Sequence, residues 1–96
     1  MADYILFRHD DAVADDPAAW DTYLRALKQS GAFEGGSAIG DGVCLRNTGA
    51  AAPITRHLTG FIRVTAAGID AARSLLAGNP HYEAGGTVEI RELPRG

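Results

Sequence analysis

Cysteine is almost missing from this chain. Cys44 stands alone among 96 residues, so no intrachain disulfide can form and no cluster of thiolates can hold a metal. A reducing compartment suits such a chain, and with no basic leader ahead of the apolar Tyr4-Ile5-Leu6-Phe7 the cytoplasm is the expected location. Positive charge is also scarce. Nine Lys and Arg against twelve Asp and Glu leave a net charge of −3, without the basic field by which proteins hold phosphate backbones or anionic lipid, so neither nucleic acid nor membrane is an expected partner. No apolar run approaches the ~20 residues of a membrane-spanning helix. The glycines Gly35, Gly36, Gly40 and Gly42 fit neither GxGxxG nor a phosphate loop, so no nucleotide cofactor is expected. Arg8-His9-Asp10-Asp11 holds ligand-type side chains, but contiguous residues at a strand end cannot all converge on one ion, and His57 and His81 lack helical ligand spacing. No metal is expected. Ser37 lacks the second glycine of a nucleophile elbow, and Cys44 has no neighbour that would activate a thiolate.

With 46% hydrophobic and 22% charged residues the composition is that of an ordinary globular chain, and its length suits one domain spanning residues 1–96. Tyr4 to Phe7 reads as a first strand. Asp16 offers an N-cap and Pro17 a first helical position, after which Trp20, Tyr23, Leu24 and Leu27 recur at helical spacing until Gly31. Ala32 to Ile39 reads as a second strand, Gly40-Asp41-Gly42 as a turn and Val43 to Arg46 as a hairpin partner. Asn47 to Thr55 reads as a loop, with a short returning strand at Ile54 to His57. Gly60 to Val64 is a further strand, Ala66 to Ala77 a second helix, and Thr87 to Leu93 an alternating closing strand.

The resulting β-α-β-(hairpin)-β-α-β order is the ferredoxin-like α+β arrangement, an antiparallel sheet with both helices on one face. With Ile5, Phe7, Ile62, Val64, Val88 and Ile90 turned to the helices, alternation assigns Tyr4, Leu6, Arg8, Phe61, Arg63, Thr87, Glu89 and Arg91 to the other face. Large apolar groups on an uncovered sheet call for a partner, and a second copy packed about a two-fold axis is the simplest, giving a dimeric α+β barrel. The competing reading is a solvated monomer face.

Trp20 to Leu27, Ser30 to Gly36, Leu58 to Val64 and, above all, Asn79-Pro80-His81-Tyr82-Glu83-Ala84-Gly85-Gly86 running into Thr87 to Arg91 together resemble the YCII-related family, including its DGPF-type branch. The resemblance covers nearly the whole chain and implies ferredoxin-like domains that pair into dimeric α+β barrels; the family has no settled biochemical function. In members thought to be enzymes, a first-helix His and the Asp of an Asp-Pro pair form a proposed acid-base couple. Here Asn79-Pro80 occupies the second position, and an amide can orient a partner but cannot act as a base. Tyr23 stands nearest to the first position, Trp20 lies a turn earlier, and the DGPF motif itself is absent.

Two residues are candidates for catalysis: His81, whose side-chain type titrates near neutral pH, as acid-base and Tyr23 as donor. The candidate pocket comprises Arg8, Trp20, Tyr23, His57, Asn79 and His81, and its expected ligand is a small molecule bearing negative charge or a carbonyl. Against this, His81 and His57 read equally as ordinary loop residues. Arg8, Arg63 and Arg91 beside Glu89 admit two readings, an arginine cluster for an anionic ligand or charges that pair across the two-fold and set dimer register.

Overall fold

The computed structural model describes residues 1–12 and 16–95. Four strands, β1 (Ala2–His9), β2 (Phe33–Ala38), β3 (Leu58–Ala66) and β4 (Val88–Leu93), form one antiparallel sheet in the order β2-β3-β1-β4. This is the ferredoxin-like α+β arrangement. Helix α1 (Pro17–Gln29) begins where the Asp16 carboxylate accepts from Ala18 N at 3.0 Å and Pro17 supplies the preset φ of a first turn. It stops at Gly31, whose φ of 82° admits only glycine without strain. Helix α2 is confined to Ile69–Ser74 and a short α3 spans Pro80–Glu83.

The core lies between sheet and helices. Tyr4 and Leu6 from β1 and Ile62 and Val64 from β3 meet Tyr23 and Leu27 of α1, with Ala72 and Leu76 from the α2 region. Register explains the set: Tyr4 pairs with Val64 and Leu6 with Ile62, while Leu6 also pairs with Ile90 and Arg8 with Val88. The expected side assignment of β1 is therefore reversed. Tyr4, Leu6 and Arg8 are on the helix side, not on the dimer face, and Ile5 and Phe7 occupy the uncovered side with Phe61, Arg63, Glu89 and Arg91. The physical reason is that a strand slipped by one residue exchanges all its side chains between faces, and Tyr-Ile-Leu-Phe is apolar at every position.

Three further expectations are corrected. Val43 to Arg46 forms no strand, and β2 pairs directly with β3, so the hairpin connection is the whole of residues 39–57, without helix or strand. No returning strand forms at Ile54 to His57. The second helix starts later than Ala66 because β3 continues through that residue, where it pairs with Ala2.

Candidate functional site

Where β1 nears its end the sheet is irregular. Arg8 pairs with Gly60 but His9 pairs with Leu58, so Thr59 is an extra residue in β3, a β-bulge. The Thr59 carbonyl accepts from Ile39 N at 3.0 Å and from Arg8 Nη2 at 3.2 Å. The guanidinium of Arg8 lies 5.1 Å from the centre of the Trp20 ring on α1, a cation–π contact. Gly60 makes this seat possible: a Cβ there would fall on the Arg8 guanidinium.

Arg8 borders two spaces. On one side is a cavity of about 280 Å³ walled mainly by Leu6, Trp20, Leu24, Phe33, Ile62 and Val88, with Asn79 and Ser37 as its other polar residues. On the other is a polar recess of about 290 Å³ whose walls include His9, Asp10, Asp11, Thr59 and His81. An apolar chamber with one cation at its polar end is suited to a flat apolar molecule carrying an oxyanion or polarised carbonyl, which a guanidinium fork can engage through two N–H groups.

Asn79 is 2% exposed and caps α3, its Oδ1 accepting from Tyr82 N at 3.0 Å. Its side chain also hydrogen-bonds Tyr23. The Tyr23 hydroxyl donates to the Leu75 carbonyl at 2.7 Å, and burial pushes its ionisation above the usual phenol value while the Asn79 bond works against that rise. Tyr23 thus ties α1 to the end of the α2 region and does not line the cavity, contrary to its expected place there. His57 is likewise outside. It is exposed, and its ring meets that of His9 edge-on at 4.9 Å.

His81 is 5% exposed on α3. Its Nε2 lies 3.0 Å from the Thr87 carbonyl, which can only accept, so that nitrogen carries the hydrogen. Asp11 Oδ1 is 3.6 Å from the same nitrogen. The Asp11 carboxylate is held in turn by Thr87, whose N–H donates to Oδ1 at 2.7 Å and whose hydroxyl donates to Oδ2 at 2.5 Å. These bonds, the hydroxyl's foremost, keep the Asp11 carboxyl below the usual carboxylate range. Gly86 supports the imidazole, since a Cβ there would collide with it. Asp11 is a site residue that sequence reasoning missed: 70 residues separate it from His81, and only the closing of β4 against β1 unites them.

The uncovered face carries its own charges. His9 Nε2 donates to Glu89 Oε1 at 2.9 Å and Arg91 Nη1 to Glu89 Oε2 at 3.2 Å, which together lower the Glu89 ionisation, the His9 bond most. Arg63 donates to the Glu34 carbonyl at 3.1 Å. Arg8 is not part of this group, so the expected cluster of three arginines is divided between the two sides of the sheet. Among the described residues no group of three or more His, Cys, Asp or Glu could hold a metal ion, and no helix is long and apolar enough to cross a membrane.

No family model matches the chain, and no curated protein matches it significantly. Among solved structures it is similar to 5-chloro-2-hydroxyhydroquinone dehydrochlorinase from Burkholderia phenoliruptrix AC1100, determined in complex with 2,5-dihydroxybenzoquinone. The TM-score is 0.55 at 16% identity, over 98% of this chain and 95% of that one. At this identity the likeness is one of fold.

Proposed function

We propose that this chain is a YCII-related, homodimeric cytoplasmic protein that binds a small planar molecule carrying an oxyanion or a carbonyl, and that Arg8 is the group that recognises it. The observation that carries this reading is the seat of Arg8, stacked on Trp20 at the junction of an apolar cavity with a polar recess. A module built only to dimerise would have no need of such a chamber. The fold neighbour's ligand, 2,5-dihydroxybenzoquinone, has the matching chemistry, a flat ring edged with acidic oxygens. The dimer rests on Ile5, Phe7 and Phe61, half-buried large apolar side chains on a sheet face without helices.

Trp20 is the sole tryptophan and walls the cavity, so its fluorescence reports occupancy. Titration with 2,5-dihydroxybenzoquinone, checked by calorimetry, is expected to show saturable binding that Arg8→Met weakens by about tenfold or more, the cost of a charged hydrogen bond. Equal binding by wild type and Arg8→Met, or equal binding of a neutral ring such as toluene, rejects the reading.

The His81 and Asp11 pair favours a second reading, an acid-base enzyme of the isomerase or lyase kind. With Nε2–H directed at Thr87 and steadied by Asp11, Nδ1 is the nitrogen able to accept a proton. Tyr23, its own proton engaged by Leu75, serves in that reading through Asn79 and not as a donor.

A further inference from the structure

Residues 39–57 form an arm. It leaves the end of β2 and returns at the start of β3, where Ile39 N bonds the Thr59 carbonyl, and it turns at Asn47 to Gly49. The end of the Ile54 side chain lies near Gly42, where the two legs run close to each other. Among the described residues, no backbone hydrogen bond joins any of residues 40–56 to another part of the chain. Val43 is 79% and Leu45 89% exposed, and Ile39 38%. The radius of gyration, 14.8 Å, exceeds the ~12.5 Å of a compact chain of this length. A connection this long without structure of its own is uncommon in a compact fold unless it has work to do, and two nearly naked aliphatic side chains are a cost in water.

We infer that the arm is an exchange device: its first leg lies on the uncovered sheet face of a second copy, with Val43 and Leu45 against Phe7 and Phe61 and Asp41 facing Arg63. Three features select this occupant. The face is apolar where the leg is apolar. In an extended leg, alternation sets Asp41, Val43 and Leu45 on one side, so a single acid accompanies the two aliphatics. Arg63 is the matching cation, since among the described residues it is exposed and has no carboxylate within ion-pair distance, whereas Arg91 is already paired with Glu89. Asp41 too is exposed and outside every ion pair among the described residues. The inference rests on the homodimer proposed above and adds what the arm does there.

Cys44, the sole cysteine, lies between Val43 and Leu45 on the opposite side of the leg and is exposed, so a benzophenone maleimide on a linker long enough to reach around this single extended leg samples the surface the leg lies on. In an equal mixture of isotopically light and heavy protein, illumination is expected to give light-heavy products joined to the peptide of β1 or β3 that carries Phe7, Phe61 or Arg63. Products joined only within one chain overturn the inference. In sedimentation, Val43→Asp with Leu45→Asp is expected to raise the dimer dissociation constant about 100-fold, from two buried aliphatics lost. Asp41→Arg alone weakens the dimer, and adding Arg63→Asp restores it. A dimer that tolerates the arm variants but is lost in Phe61→Asp rejects the arm and keeps the sheet-face pairing. A wild type that is monomeric at tens of micromolar rejects both.

Discussion

The two sides of the sheet are built from the same strands and yet differ in kind. On the helix side, Tyr4, Leu6, Ile62 and Val64 are between 0% and 9% exposed and lock onto α1 and α2. On the other, Ile5, Phe7 and Phe61 are only half-buried and are interspersed with Arg63, Glu89 and Arg91. One side holds the chain together; the other is available to a second body. The difference teaches that apolar content alone does not identify a core, because β1 offers large apolar groups to both sides and the neighbouring strands decide which become interior.

Exchanging equivalent lesions across β1 tests that contrast most severely. Leu6→Ala is expected to destabilise the monomer fold by about 3 kcal/mol, as removal of a close-packed core leucine does. Ile5→Ala, one residue away, is expected to cost less than about 1 kcal/mol in unfolding yet to weaken self-association. Chemical denaturation followed by circular dichroism, at concentrations above and below dimer dissociation, separates the two effects. Equal losses in unfolding would abolish the distinction between the sides.

Gly60→Ala probes the helix side at its polar end. The added methyl takes the space of the Arg8 guanidinium, the far end of a flexible side chain, so the expected change in stability is under about 1 kcal/mol. Binding of an anionic ring is nonetheless expected to fall severalfold in the Trp20 fluorescence titration, because the cation must leave its stacked seat. A variant that loses folding and keeps binding would invert the assignment of Arg8.

The smallest effect sets acid sensitivity against position. Asp11, beside the recess, and Glu89, on the uncovered face, both have ionisations depressed in the folded chain. The stability they contribute is complete above the carboxylate values of the unfolded chain, near pH 4, and is lost as pH falls through their lower folded values. Melting temperature recorded from pH 6 to pH 2 is expected to decline below about pH 4. Asp11→Asn is expected to flatten part of that decline, since Thr87 then loses its ionic partner at every pH. An unchanged profile would mean that the bonds to Thr87 do not survive in solution.

Much of this was readable from residues alone. The start of α1 was legible in Asp16-Pro17 and its end in Gly31, because capping chemistry is local, and the alternation of Val88-Glu89-Ile90-Arg91 named β4. What escaped was phase and distance. Tyr4-Ile5-Leu6-Phe7 has no polar residue to betray its outward side, so the face of β1 is settled only by its register with Ile62 and Val64. Val43 to Arg46 has strand composition but no strand partner among the described residues, and strand propensity is realised by neighbours. Asn79-Pro80 carries a readable N-cap and first-turn signal, yet α3 is one turn long, at the limit where a helix and a loop look alike in sequence. For the site, Arg8, Trp20 and Asn79 do border one cavity, whereas Tyr23 and His57 do not; helical spacing placed Tyr23 on the inward side of α1 without revealing that its hydroxyl is engaged by the Leu75 carbonyl and Asn79.

The bulge at Thr59 governs more than its own neighbourhood. One carbonyl there steadies both the cation of the cavity and the root of the arm, so the proposed ligand at Arg8 and the proposed second copy at the arm would act upon the same peptide unit. Excision of that single residue would realign the strand end and release both attachments at once, a lesion that no exchange of one side chain for another can imitate.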